Sequence, residues 1–420
     1  MDFDDTPTEA AFRTEARAWL SANATLRAGE SGWGFSAEGK ASLESSKEWQ
    51  TRKADAGWAC ISWPREYGGR GASAIESLIW AQEESRFDLP PNIFNIAHGQ
   101  AGPTLMIHGT PEQKTRWLPK MIRGEEVWCQ LFSEPDAGSD LAGLRTRAVR
   151  DGDHWLVSGQ KVWTSLAEHS DWAILIARSD PDVPKHAGLT YFVLDMKTPG
   201  IEIRPIRQIW GSADFSAVFL NEVRIPDAHR ISSVGNGWTV TTSTLMTERA
   251  SAAGGVVGPG GERLPTALDF MRLARNTRIT GNRSALDEAT VRERVADFHV
   301  RWRGLVHTSY RMLTALSRGQ EPGGEASIGK LVEGRLQQEM TSLALELLEG
   351  SGAIADEDGA AAYAQWQWAY LVAPAIRIAG GTDEILRNII AERVLGLPPE
   401  PRVDKGKSFR ELRSSAGRTA

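Results

Sequence analysis

Along the first 124 residues, apolar positions recur at helical spacing. Thr6-Pro7-Thr8-Glu9 reads as an N-cap, a proline at the first helical position and a glutamate three residues after the cap, followed by Phe12, Ala16, Trp19 and Leu20 on one face. Thr110-Pro-Glu-Gln113 repeats the start signal ahead of Trp117 and Leu118. Gly68-Gly-Arg-Gly71 and Leu89-Pro-Pro-Asn92 punctuate the stretch between them. Near Trp128 the period changes. Short β-type runs (Trp155-Leu-Val, Trp172-Ala-Ile-Leu-Ile, Tyr191-Phe-Val-Leu, Ile201-Glu-Ile-Arg, Ala217-Val-Phe-Leu) alternate with turn residues, and Asp151-Gly152 sits where a tight hairpin would reverse. Helical spacing returns after Gly237, with Ile328, Leu331, Val332, Leu343, Leu347 and Leu348 forming a stripe. The pattern predicts a mainly α chain with a central β-domain. Its parts are an N-terminal helical domain (1–124), a middle β-domain that reads as a small barrel or sandwich (125–235), a C-terminal helical bundle (236–397) and a polar tail (398–420).

Composition narrows the partners. A chain of 420 residues calls for two to three domains, and 41% apolar with 24% charged residues is ordinary for a globular protein in water. The net charge of −6 supplies no basic field for nucleic acid or an anionic membrane, so any phosphate must be gripped by local groups. Cys60 and Cys129 have no metal-ligand spacing and read as buried thiols in a reducing compartment. The acidic start, Met1-Asp-Phe-Asp-Asp, resembles neither a secretory nor a transit signal, and no apolar run is long enough to span a membrane. A cytoplasmic location is expected.

Familiar hydrolase, metalloprotease and Walker motifs are missing, and the eight histidines are dispersed. Gly-Pro-Gly-Gly at 258–261 reads as a helix interruption. Two segments carry candidate chemistry. Ser133-Glu-Pro-Asp-Ala-Gly-Ser-Asp140 is either a surface turn or a cradle whose small side chains let backbone N–H groups and hydroxyls approach a flat polar ligand. Gly380-Gly-Thr-Asp-Glu384 opens a helix that Thr382 would cap. It is either a plain helix entry or a place where N–H groups polarise a carbonyl oxygen, and Asp383 and Glu384 argue against a free phosphate there.

Together with Gly159-Gln-Lys-Val-Trp-Thr-Ser165, Pro199-Gly-Ile-Glu-Ile-Arg-Pro-Ile-Arg and Val218-Phe-Leu-Asn-Glu-Val-Arg-Ile-Pro226, these segments resemble, in order, the acyl-CoA dehydrogenase family over residues 5–400. The resemblance implies an α–β–α fold and FAD shared between neighbouring subunits. Phe132, Ser133, Gly138 and Ser139 would touch the flavin or its substrate side. Trp163 would flank the ring, and Ser165, where the family usually has Thr, would lie near N5. Arg275 and Thr277 match pyrophosphate-binding positions in a partner subunit. Glu346 and Gly350 match another cofactor stretch, although many relatives carry Gln at 346 and a carboxylate there opposes a pyrophosphate. Thr382 and Glu384 would face the adenine end.

The resemblance also implies the reaction: oxidation of an acyl-CoA thioester to the trans-2-enoyl-CoA in lipid or fatty acid degradation, with a carboxylate taking the α proton and FAD N5 the β hydride. The position that holds the base in many members is Gly380 here. Thr247-Glu248-Arg249 matches the long-chain and isovaleryl-type subgroup, making Glu248 the expected base, against the alternative of a solvated or Arg-paired helix glutamate. Ser139, Arg249 and Gly381 are the expected substrate contacts. Gly380 keeps the N–H donor for the thioester oxygen and leaves room for a branched or bulky acyl group. The expected partners are an electron-transfer flavoprotein-type acceptor and a homotetramer or mixed α2β2 assembly. The competing readings are a flavin monooxygenase or oxidase on the same scaffold and a catalytically silent subunit of a mixed tetramer.

Overall fold

The computed structural model describes residues 5–27, 40–252, 264–279, 281–318, 320, 326–354, 364–402 and 404–416, without the side chains of 40–42, 248–252, 313, 316–317, 326, 364 and 413–416. The glycine-proline run at 258–261 lies outside the described residues. Contacts divide the chain into two compact units. One comprises residues 1–42, 71–91 and 252–399, the other 43–70, 92–251 and 400–420.

In the first unit, α1 (Pro7–Asn23) and α3 (Ala74–Glu84) pack together. Each begins with a capping box, Thr6 with Glu9 and Ser73 with Glu76, so the start signal at Thr6 is a true cap. Strands β1 (Thr25–Leu26) and β2 (Phe87–Asp88) join in a short antiparallel pair. The C-terminal helices α7 (Ala267–Asn276), α8 (Ala289–Ser317), α9 (Ala326–Leu348), α10 (Ala364–Ile376) and α11 (Asp383–Ile389) follow. Their core holds Phe270, Phe298, Leu336, Met340, Ala344 and Trp366. The buried face of α9 is therefore Leu336-Met340-Ala344-Leu348, with Thr341 and Gln337 beside it. Ile328, Leu331, Val332, Leu343 and Leu347 are only half-buried.

In the second unit, α2 (Lys40–Asp55), α4 (Gly102–His108), α5 (Pro111–Arg123) and α6 (Gly237–Ala252) accompany the sheet. Thr110 and Gln113 form the cap of α5. The strands are β3 (Trp128–Leu131), β4 (Arg147–Asp151), β5 (His154–Ser165), β6 (Trp172–Arg178), β7 (Leu189–Asp195), β8 (Ile201–Ile206), β9 (Phe215–Pro226) and β10 (Arg230–Ile231). They run in the order β10-β7-β6-β4-β5-β9-β8, with β3 parallel to β6. Among the described residues the ladder runs as one sheet from β10 to β8, the middle β-domain expected. The hairpin at Asp151-Gly152 forms as expected: Asp151 pairs with His154, and Gly152 takes φ +61°, which its missing Cβ permits. Alternate residues of β6 and β7 feed two cores. One face packs Trp117, Trp128, Trp172, Ile174, Tyr191 and Val193, the other Cys129, Leu175, Ala177, Phe192 and Leu194. The tryptophans here are packing material, and Cys129 is a buried thiol whose pKa burial pushes up to about 12.

The segment expected as a polar tail folds onto the sheet. Residues 409–416 form α12 (Phe409–Ala416), the Phe409 side chain is buried, and Ser408 bridges Pro184. One aromatic in a polar stretch is enough to anchor it.

Candidate active site

In the sheet unit, the predicted ligand loop 133–140 is fixed from beneath by a buried ion pair. Lys161 is fully buried, and its ammonium donates to the Phe132 carbonyl at 3.0 Å and to Glu134 Oε1 at 2.9 Å. The Glu134 carboxylate also accepts the backbone N–H groups of Arg145 and Thr146 at 2.6 and 2.9 Å. Burial pushes the Glu134 carboxyl up, but the Lys161 charge and these hydrogen bonds outweigh it and hold it below the usual range. The Val162 N–H donates to the Ser133 carbonyl, tying the loop to β5. Phe132 is buried edge-on against Tyr191 at 5.8 Å. Above this base Ser133 is half-buried, Gly138 and Ser139 are exposed, and a side-chain carbon added at Gly138 would meet nothing within 4 Å.

Three residues along from Lys161, β5 slips its register against β9. Trp163 sits in this bulge with φ +61°, and its indole is 59% exposed, next to Phe215. A large aromatic is thus held open to solvent in a disfavoured backbone conformation. Ser165 is half-buried just beyond, and the buried Thr164 hydroxyl between them has no partner among the described residues.

Helix α6 is anchored to this same region. Thr244 is buried, hydrogen-bonding Thr104 Oγ1 at 2.8 Å and the Tyr191 hydroxyl at 3.1 Å, while Ser243 meets His108 at 2.9 Å. Helical register puts position 248 one turn beyond Thr244 on the same face. Glu248 and Arg249 are within α6, and their side chains lie outside the described residues.

In the helical unit, Gly380 takes φ +62° and Gly381 φ +104°, a turn that only glycine makes without strain. Thr382 caps α11, its hydroxyl accepting the Ile385 N–H at 3.3 Å, so the predicted cap is confirmed. The turn rests on α9. Lys330 donates to the Gly381 carbonyl, and Arg377 pairs with buried Asp383 at 2.6 Å and with Gln338 at 2.8 Å. A Cβ at Gly334 would stand 2.9 Å from Arg377 Cγ, so its absence lets the two segments close. The N–H groups of Gly380 and Gly381 have no partner among the described residues, and Gly380 is exposed. Glu384 is exposed, 3.8 Å from Arg387.

The other four cofactor candidates lie elsewhere in this unit. Arg275 is exposed and Thr277 caps the C-terminus of α7, while Glu346 and Gly350 are exposed at the C-terminal end of α9. The two ends meet through Ala274, Ala285 and Leu347. From Gly334, which lies against Arg377, the partner of Asp383 in the 380–384 turn, to Glu346 is twelve helical residues, or about 18 Å along α9. One copy of this unit therefore offers two separate groups of candidate contacts. The sequence reading gave no role to Lys161, Glu134 and Thr244, which support the loop and α6 in the sheet unit, or to Lys330 and Arg377, which support the glycine turn in the helical unit. Of these, Lys161 and Glu134 stood within the quoted Gly159–Ser165 and Ser133–Asp140 segments.

The chain thus carries a small-residue loop and an exposed aromatic on its sheet unit and a glycine turn in its helical unit. Comparison with known proteins names its family. Family profiles match the acyl-CoA dehydrogenase N-terminal domain at residues 6–125, the middle domain at 129–223 and the C-terminal domain at 235–395. The chain is 38% identical over 391 residues to the acyl-CoA dehydrogenase IpdE1 of Mycobacterium tuberculosis (strain ATCC 25618 / H37Rv), covering 93% of this chain and 98% of that protein. Among solved structures, the Tcur3481-Tcur3483 steroid ACAD matches with TM-score 0.76 and 26% identity over 95% of this chain and all of that one. The ChsE4-ChsE5 complex from Mycobacterium tuberculosis matches with TM-score 0.75 and 28% identity, again over 95% of this chain and all of its counterpart. This chain belongs to the acyl-CoA dehydrogenase family. It is an oxidoreductase of flavin type acting on acyl-CoA, and no described helix is long and apolar enough to cross a membrane.

Proposed function

We propose that the chain oxidises a bulky acyl-CoA to its trans-2-enoyl thioester, using FAD as the flavin and Glu248 as the base. The observation that carries this reading is the Gly380-Gly381 turn. It has no side chain to take a proton, yet it presents N–H groups that have no partner among the described residues, beside a capped helix. The carboxylate must then come from elsewhere, and α6, held by Thr244 against Tyr191, carries the Thr247-Glu248-Arg249 motif.

The residues divide the work as follows. Glu248 removes the α proton. The Gly380 N–H donates to the thioester oxygen as negative charge develops there. An apolar acyl group excludes water, which raises the carboxyl pKa towards that of the proton it must take. Trp163, Phe132, Ser133, Gly138, Ser139 and Ser165 would hold the flavin and the substrate's near side. An open indole and a buried hydroxyl at Thr164, unpaired among the described residues, fit a flat ring with a polar edge. FAD, when bound, supplies the acceptor for the β hydrogen and its electron pair. Ser139, Arg249 and Gly381 would contact the substrate.

Arg275, Thr277, Glu346 and Gly350 would contact a cofactor centred in a neighbouring subunit, with Thr382 and Glu384 serving this subunit's own. The roughly 18 Å along α9 between the two groups supports that division. Solved relatives that pair two different chains support a mixed oligomer over a homotetramer. The steroid named for one of them, with the bare Gly380, supports a polycyclic acyl group. An electron-transfer flavoprotein would reoxidise the flavin. The test is anaerobic titration of the yellow protein with straight, branched and polycyclic acyl-CoAs. Bleaching by the polycyclic thioester is expected, and bleaching by short straight chains alone would refute the assignment.

A further inference from the structure

The matched family domains end at residue 395, but the chain continues and docks again on its own sheet unit. The docking is specific. The Phe409 N–H donates to the Val183 carbonyl at 3.0 Å and the Arg410 N–H to the Pro181 carbonyl at 3.0 Å, while Arg410 pairs with Asp182 at 2.8 Å. The Phe409 ring covers the Arg178 guanidinium, whose central carbon is 3.6 Å from the ring centroid. Arg178 is 4% exposed and spends its donors on three backbone carbonyls: Ala142 at 2.6 Å, Leu144 at 3.1 Å and Lys185 at 3.0 Å. Burial pulls this guanidinium down to about 10, so it remains cationic at neutral pH. A second tie runs through Lys185, which pairs with Asp404 at 2.9 Å and with both Asp140 oxygens at 2.9 and 3.0 Å.

We infer that residues 404–412 are a strap that positions the substrate side of the 133–140 loop, with Phe409 and Arg178 as positioning residues for the acyl-CoA reaction. Two contacts converge on that loop from the strap. Phe409 excludes water from Arg178, which makes its bonds to the carbonyls of 142 and 144 stronger. Asp404 shares Lys185 with Asp140, the residue after Ser139. Both contacts are made to the 140–144 side of the sheet unit, so the strap acts on substrate binding and the proton transfer itself is left unchanged. This inference rests on the assignment of Ser139 to substrate.

The test compares Phe409→Ala, Phe409→Tyr and a chain ending at residue 399 with the wild type, each as the complete flavoprotein. Two quantities are read: hydrogen exchange of the amides at 134–146, and KM separately from kcat with an acyl-CoA that the wild type bleaches. Phe409→Ala and the truncation should speed exchange in that loop and raise KM about tenfold, the equivalent of one lost charge-assisted contact. kcat should hold within a factor of two, and Phe409→Tyr should restore both readings. Unchanged exchange at 134–146 in both variants overturns the strap. Faster exchange with an unchanged KM overturns the assignment of the loop to substrate. Equal losses of kcat and KM that Phe409→Tyr does not rescue would mark a merely structural segment and also overturn the proposal.

Discussion

Removing the Lys161 ammonium tests whether the ligand loop is built on a buried charge pair. In Lys161→Met the methylene stem is nearly preserved, but the Glu134 carboxylate, 7% exposed, keeps only the N–H groups of Arg145 and Thr146. Stranding one partner of a buried pair costs about 3–5 kcal/mol, against about 1 kcal/mol for an exposed bridge. That should lower the melting temperature of the sheet unit by roughly 10 °C. Replacing both, as Lys161→Met with Glu134→Gln, removes the orphaned charge but leaves one amide oxygen for two N–H groups that the carboxylate accepts on separate oxygens, so only part of the loss should return. The assay is urea and thermal unfolding of the single and double variants, with flavin content recorded beside each. Flavin should be lost from the single variant because Lys161 also holds the Phe132 carbonyl. A Lys161→Met protein within 1 kcal/mol of the wild type, or a double variant as unstable as the single one, would refute the reasoning.

Two further perturbations follow from the helical unit. Gly381→Ala should cost more than Gly380→Ala, since φ +104° is open essentially to glycine alone, whereas φ +62° is the left-handed well that other residues enter for about 1–2 kcal/mol. Equal destabilisation on calorimetry would contradict the assigned turn. Glu83 is 3% exposed among Arg17, Arg13 and Arg86. Hydrogen bonds from Arg17, against burial and with help from the other two, hold its carboxyl down to about 2. Because the folded pKa is depressed, this stabilisation, about 2–3 kcal/mol, is complete above the unfolded value of about 4.5 and is lost as pH falls towards 2. Glu83→Gln should therefore flatten the acid limb of the stability curve between those values, and an unchanged limb would count against the cluster.

What the sequence made legible was local. The caps at Thr6, Thr110 and Thr382 and the Asp151-Gly152 hairpin are short-range devices whose partners lie within three residues, so pattern alone locates them. The alternation of β-type runs likewise marked strands, but it could not show their order, because strand order depends on pairings between distant segments. The supports of the site were hidden for the same reason. Lys161 reads as one polar residue in a strand until Glu134, 27 positions earlier, is placed against it. The C-terminal segment read as a polar tail because its few apolar residues, Val403, Phe409 and Leu412 among them, are scattered between charges and show no run. Beyond Phe409, its holds are backbone hydrogen bonds and the pairing of Arg410 with Asp182, 228 positions away. Trp163 entered through family resemblance, and its exposure in a strained bulge gives that position a physical reason to meet a ligand.

The base is the centre of the account. Anaerobic stopped-flow of Glu248→Gln, in the assembly that bleaches with a polycyclic acyl-CoA, tests it most directly. The account predicts a yellow protein that still binds the thioester but bleaches about 10²–10⁴-fold more slowly, the usual loss for a missing general base. Bleaching within a few-fold of the wild-type rate would contradict it and return the search to another carboxylate.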